Sequence, residues 1–252
     1  MPPRIPTPDD FTTLTTTLPH TLHFPSPPES TTAILILLHG LGDTHAPFAS
    51  FASAVNLPGV LAISVRGTAR VPLLGVGQEG FHWGDDVLVD EDGGRLDFDP
   101  GFETAERLIM DRLIGEVLVG RCGWDVSDVM LFGFGQGGSL ALGLASRLRV
   151  RPSPPPDTTQ QQQAGTRKFK GAVSIGGPLP TSMVPTVSTR EKSKTEVLLV
   201  QMGGESVQAV KREFEHVKVV NWARREVAMP KNREEMFPIM RFFADRLNSG
   251  WS

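Results

Sequence analysis

Six short apolar runs, separated by stretches with helical periodicity, constrain this chain more than any other feature of its sequence. AILILLH (33–39), VLAISV (60–65), DVMLFGF (128–134), KGAVSIG (170–176), TEVLLVQM (195–202) and VKVVNW (217–222) read as strands, most of them covered on both faces. Between them Phe102, Ala105, Leu108, Ile109, Leu113 and Val117 form one apolar stripe, and Gly138 to Leu148 is apolar nearly all round, as a buried helix must be. A last helix opens on Asn232 with Glu235 three residues on, resembling a capping box, and carries Met236, Ile239, Met240, Phe243 and Leu247 on one face. Strands alternating with helices predict an α/β fold: a doubly wound, mostly parallel sheet with helices on both faces.

The length of 252 residues suits one domain with a full core. Residues 1–32 read as a loose proline-rich arm with one or two edge strands, and residues 33–252 as the main domain. Within the latter, RPSPPPDTTQQQQAG (151–165) is too polar and proline-rich to offset its ordering entropy, and reads as a disordered insertion. With 25 basic and 28 acidic residues the chain has no field suited to a nucleic-acid backbone. The longest apolar run, Ala33 to Leu38, is too short for a membrane span, and residues 1–30 lack the pattern of a signal peptide, so a cytoplasmic protein is expected. The single cysteine, Cys122, precedes its strand and is expected to be a surface or half-buried thiol; it excludes an internal disulfide.

In such a sheet the site lies beyond the carboxyl ends of the strands. Two segments sit there. AILILL runs into His39-Gly40-Leu41-Gly42-Asp43-Thr44, and DVMLF runs into Gly133-Phe134-Gly135-Gln136-Gly137-Gly138-Ser139-Leu140. The second has the strand, sharp turn, helix context of a nucleophile elbow, G-x-S-x-G, with glycine where the serine belongs. Together with Phe81-His82-Trp83-Gly84-Asp85-Asp86 between them, and in this order, the motifs resemble the phospholipase/carboxylesterase family of α/β-hydrolases, which includes the acyl-protein thioesterases. The resemblance extends from about residue 33 to residue 247 with the insertion set aside.

What the resemblance implies is a fold with its chemistry removed. It places the family's serine at Gly135. The acid, in Met202-Gly203-Gly204-Glu205-Ser206-Val207-Gln208, falls on Ser206, with Glu205 the nearest carboxylate, and the histidine falls at or near Met229. The histidines are at 20, 23, 39, 45, 82 and 216, so none follows the last strand. Nucleophilic catalysis of this kind needs nucleophile and base within hydrogen-bond reach. The oxyanion-hole donors, by the same resemblance, are the backbone N–H groups of Leu41 and Gln136, which do not depend on side-chain identity. His39, Gly40, His82 and Trp83 are expected to line the pocket, with His39 structural under the loop.

The expected function is therefore a catalytically silent relative that binds a small acyl or carboxylate ligand or a protein partner. An active esterase or thioesterase with a relocated triad, using Ser174 or Ser206 with His82 or His45, is the alternative; a purely structural subunit is a third. No cofactor and no metal is expected: His45, His82, Asp43, Asp85 and Asp86 share a rim but lack metal-ligand spacing. Arg224-Arg225-Glu226 and Arg190 to Lys194 read as solvated faces. Since loop-closure cost rises slowly with length, replacing Pro152 to Gln163 by a short glycine-serine bridge should shift the melting temperature by less than about 5 °C. A larger fall in a thermal melt would mean that the segment packs onto the body.

Overall fold

The computed structural model describes residues 3–72, 79–86, 99–148, 167–184 and 191–249; the insertion read at 151–165 lies outside them. Seven strands form one sheet: β1 (His20–His23), β2 (Ala33–Leu38), β3 (Val60–Val65), β6 (Val129–Phe134), β7 (Gly171–Ile175), β8 (Val197–Val200) and β9 (Val217–Val220). Their spatial order is β1-β3-β2-β6-β7-β8-β9, parallel throughout except that β1 runs antiparallel to β3. A second, two-stranded sheet pairs β4 (Ala69–Arg70) with β5 (Phe81–His82).

Alternate residues of the central strands feed two cores. Ile34, Ile36, Leu38, Val129 and Leu131 join the core under α2 (Glu103–Glu106), the helix Arg107–Arg121 that continues it, α3 (Gln136–Arg147) and α4 (Gly204–Glu213). Ala33, Leu35, Leu37, Met130 and Phe132 face α1 (His45–Val55) and α5 (Arg233–Asn248). This two-sided burial is why β2 and β3 are apolar at every position rather than alternating. β9, at the sheet edge, is only half-buried, so the last of the six runs is not covered on both faces.

Three local features differ from the sequence reading. The helix Arg107–Arg121 is wound as a π-helix, so the buried positions are Ile109, Leu113, Ile114, Val117 and Leu118, and Leu108 only rims the core. Asn232 does cap α5, accepting from the Glu235 N–H at 2.9 Å, but the Glu235 carboxylate turns to Lys231 N–H and Arg224 instead of closing the box. The arm is pinned, not loose. Phe11, Leu14 and Leu18 are at most 1% exposed in the same core as the π-helix.

Polar contacts finish the attachment of the arm. Arg4 N–H donates to the Cys122 carbonyl at 2.9 Å, Trp124 Nε1–H donates to the Arg4 carbonyl at 2.8 Å, and Arg4 pairs with Asp10. Apolar residues at 11, 14 and 18 give the arm a helical face that the prolines around it obscured. Under this cover Cys122 is fully buried, and burial pushes its thiol up to about 11. Leu14→Ala should cost the whole domain about 2–5 kcal/mol in urea denaturation. A loss below about half a kcal/mol would mean that the arm docks without contributing to the fold.

Candidate active site

β2 and β6 are hydrogen-bonded neighbours, with Leu38 opposite Gly133, so the chain leaves both strands at the same level of the sheet. That register places the His39-to-Thr44 loop beside the turn at Gly135. The turn is tight. A Cβ on Gly133 would overlap the Gly137 carbonyl, one on Gly137 would overlap the Leu38 carbonyl, and one on Gly177 would overlap the Gly135 carbonyl. Backbone packs against backbone at all three places, which no larger residue permits.

Gly135 itself adopts φ 51° and ψ −122°, a conformation that residues with a side chain enter only under strain. Its N–H donates to the Ile175 carbonyl at 2.9 Å, and its carbonyl accepts from Ser139 N–H at 3.0 Å. The position a Cβ would occupy meets only the Gly40 Cα, at 3.9 Å. The elbow therefore keeps its shape and the space for a side chain, and it presents no nucleophile.

Of the two backbone donors expected beside the elbow, Leu41 and Gln136, the second is held from behind. Gln136 begins α3, whose first N–H groups have no intrahelical acceptor. Among the described residues, no hydrogen bond takes up the N–H of Leu41 or of Gln136. The Gln136 side chain is buried, and its Oε1 accepts from Trp83 N–H at 2.9 Å. Trp83 Nε1–H in turn donates to the His39 carbonyl at 2.8 Å, and its ring lies 5.1 Å from the imidazole. Trp83 thus ties the first residue of α3, through its backbone N–H, to the start of the loop, through its indole.

His39 is spent on structure. Its Nε2 accepts from Gly67 N–H at 2.8 Å, which leaves the proton on Nδ1, 2.7 Å from the Gly40 carbonyl. Burial is the main cause that lowers its pKa to about 4. His39, Gly40 and Trp83 are all buried, and His82 is 3% exposed, so these four support the site from within rather than lining an open mouth. His82 Nδ1 and His45 Nδ1 have no hydrogen-bond partner, and burial holds both imidazoles below the ordinary value.

The remaining candidates make other contacts. Ser206 is in the first turn of α4, half-buried. Met229 precedes α5, packs against the core under α1 and α5, and gives its carbonyl to Arg224. No hydrogen bond joins either residue to the elbow. Ser174 Oγ–H donates to the Gly177 carbonyl at 2.8 Å, and Ser139 Oγ is buried without a partner. Among the described residues no serine hydroxyl is hydrogen-bonded to a histidine, and no three His, Cys, Asp or Glu side chains converge as metal ligands. Asp85 caps α2 through the N–H groups of Glu103 and Thr104, at 2.7 and 2.8 Å, so its carboxylate is occupied.

Sequence reading missed the network beside this site. Arg224, expected to be solvated, is only 19% exposed: its Nε and Nη2 grip the Glu235 carboxylate at 2.9 and 3.0 Å. The positive-φ residue Gln201 accepts from Trp222 N–H at 2.6 Å and donates to the Arg224 carbonyl at 2.5 Å, fixing residues 222–224, and Arg224 Nη2–H donates to the carbonyl of Met229, at or near which the resemblance implied a histidine. An (i, i+11) ion pair across a turn leaves no periodic trace to read.

His39 also sets a pH dependence. Its folded pKa lies below the ordinary value of about 6.5, so the unfolded chain binds more protons between the two values. Stability from this group is complete above about pH 6.5 and is lost as pH falls toward 4, roughly 2 kcal/mol between pH 7 and 5. Denaturant melts at the two pH values should show that loss in the parent, and less of it in His39→Gln. An equal loss in both would assign the dependence to other groups.

Comparison with known proteins agrees with this geometry. The sequence profile of the phospholipase/carboxylesterase family matches residues 22–153. A protein of Schizosaccharomyces pombe named as an uncharacterized hydrolase is 34% identical over 151 residues, which are 58% of this chain and 56% of that one. One of Mycosarcoma maydis, also named as an uncharacterized hydrolase, is 33% identical over 111 residues, 43% of this chain and 40% of that one. The matched part thus spans about half of these relatives or less. Acyl-protein thioesterase 2 of Zea mays is similar in fold, with a TM-score of 0.63 and 18% identity over 91% of this chain and 99% of its own. The matched profile, the sheet order and the glycine elbow between β6 and α3 together place this chain in the phospholipase/carboxylesterase family of α/β-hydrolases.

Proposed function

We propose that this chain is a catalytically silent member of its family, a cytosolic protein that uses the elbow and its backbone donors to bind rather than to hydrolyse. The observation that carries the reading is Gly135, which occupies the strained centre of an otherwise intact elbow with no side chain to attack a carbonyl. By the sequence resemblance the family's acid falls on Ser206 and its histidine at or near Met229, and no histidine follows His216. His39 is buried, neutral above about pH 4, and engaged through both ring nitrogens.

The N–H groups of Leu41 and Gln136 suit a carbonyl or carboxylate oxygen, because backbone donors persist whatever the side chains become. A small acyl or carboxylate compound is the ligand this chemistry favours; a protein partner presenting a carboxylate is read by the same donors. The relatives named as hydrolases keep turnover as the competing reading, and it requires a base that the described residues do not offer to any serine. Within those residues no helix is long and apolar enough to cross a membrane.

Activity assays separate the two readings. Short acyl esters and thioesters should be hydrolysed no faster than by a denatured control between about pH 6 and 9, and a fluorophosphonate probe should leave the protein unlabelled. Saturable turnover abolished by changing one serine would sink the proposal. Gly135→Ser has room for its Cβ, so its cost is the backbone strain, about 1–3 kcal/mol, and it should restore no activity alone. The triple variant Gly135→Ser, Ser206→Asp, Met229→His should give weak turnover through the surviving donors. Turnover by the single variant would reveal a base already in place.

A further inference from the structure

The N–H groups of Leu41 and Gln136 each share a peptide unit with the carbonyl of the residue before. Both peptides are trans, so N–H and C=O point opposite ways, and whatever holds the carbonyl sets the direction of the N–H. For Gln136 that carbonyl belongs to Gly135 and accepts from Ser139 N–H at 3.0 Å, the opening bond of α3. Helix geometry aims this donor. Leu41 has no helix behind it. Its partner carbonyl, on Gly40, accepts from His39 Nδ1–H at 2.7 Å and from Asp43 N–H at 3.2 Å. We propose that His39 is a positioning residue of the binding site: its Nδ1–H draws the Gly40 carbonyl inward and so turns the Leu41 N–H toward the space beside Gly135.

The ring is itself fixed on its other side. Gly67 N–H donates to Nε2 at 2.8 Å, which forces the single proton of the neutral imidazole onto Nδ1, facing the Gly40 carbonyl. Trp83 Nε1–H holds the His39 carbonyl at 2.8 Å, so the backbone below the ring is fixed as well. The Asp43 bond is at the long end of the range, and its donor is in a half-buried loop residue, which makes the buried ring the stronger restraint. An imidazole suits the place because a neutral ring offers a donor on one side and an acceptor on the other.

The location agrees with the role. Gly40 Cα lies 3.9 Å from the point where a Gly135 side chain would begin, which puts the Leu41 nitrogen within about 6.5 Å of that point. A donor aimed before the ligand arrives needs no ordering when it binds. The buried histidine thus serves the site without exchanging a proton.

This inference rests on the reading that Leu41 and Gln136 bind a ligand oxygen, and two measurements keep the parts separate. His39→Asn keeps a donor at the Nδ1 position and gives up the Gly67 contact; His39→Gln keeps an acceptor for Gly67 and gives up that donor. Without ligand, the residual dipolar coupling of the Leu41 N–H should hold its parent value in His39→Asn and change in His39→Gln, with that of Gln136 unchanged in both. A parent value for Leu41 in His39→Gln, or the same change in both variants, would overturn the proposal. If His39→Gln does not fold, His39→Asn decides: a parent value supports the proposal and a changed one overturns it.

Hexanamide is then titrated into the full chain while the Leu41 and Gln136 amide resonances are followed. Saturable shifts in the parent are expected, with Kd raised about three- to tenfold in His39→Gln and less in His39→Asn, the effect of one misdirected hydrogen bond. An unchanged Kd in His39→Gln counts against positioning. Resonances that hexanamide does not move in the parent count against the binding reading instead, and the dipolar couplings still decide the role of His39.

Discussion

The site depends on backbone packed directly against backbone at the start of α3. Gly133, Gly137 and Gly177 each stand where a side chain would collide with a carbonyl. That contact lets β6 turn into α3 within a residue, brings the first N–H groups of the helix up to the His39 loop, and fixes Gly135 at positive φ. The constraint is steric and independent of chemistry, so the elbow holds its shape with glycine at its centre. Glycine at its centre removes the backbone strain that a residue with a side chain would carry.

Around the elbow, polar groups that would serve catalysis elsewhere are committed to holding the scaffold. His39 bridges Gly67 and its own loop, Trp83 links that loop to α3, and Arg224 with Glu235 braces the segment before α5. Each is a polar group engaged by a specific partner, and that contact fixes a position.

Much of the fold was legible because burial on both faces writes itself into a strand as a continuous apolar run. The six runs appear as β2, β3, β6, β7, β8 and β9, within a few residues at each end. The elbow was legible for a different reason: glycine spacing between a strand and a helix has few other meanings. What escaped was whatever depends on contacts between distant segments. Phe11, Leu14 and Leu18 gained a role only once the π-helix was beside them, and Arg224 read as a solvated charge because Glu235 reaches it across a turn. His39 and Trp83 were placed near the site, but their exclusion from its surface follows from the way the loop folds over them.

The docked arm changes what the lone thiol means. Cys122 is sealed beneath a segment tied to it by the hydrogen bond from Arg4 N–H, and its sulfur holds its proton far above neutrality. A reagent in solution meets it only when residues near the amino terminus lift away. The side chain is thus a built-in clock for opening of the arm: its rate of alkylation counts departures of that segment, a motion that no group in the elbow would report.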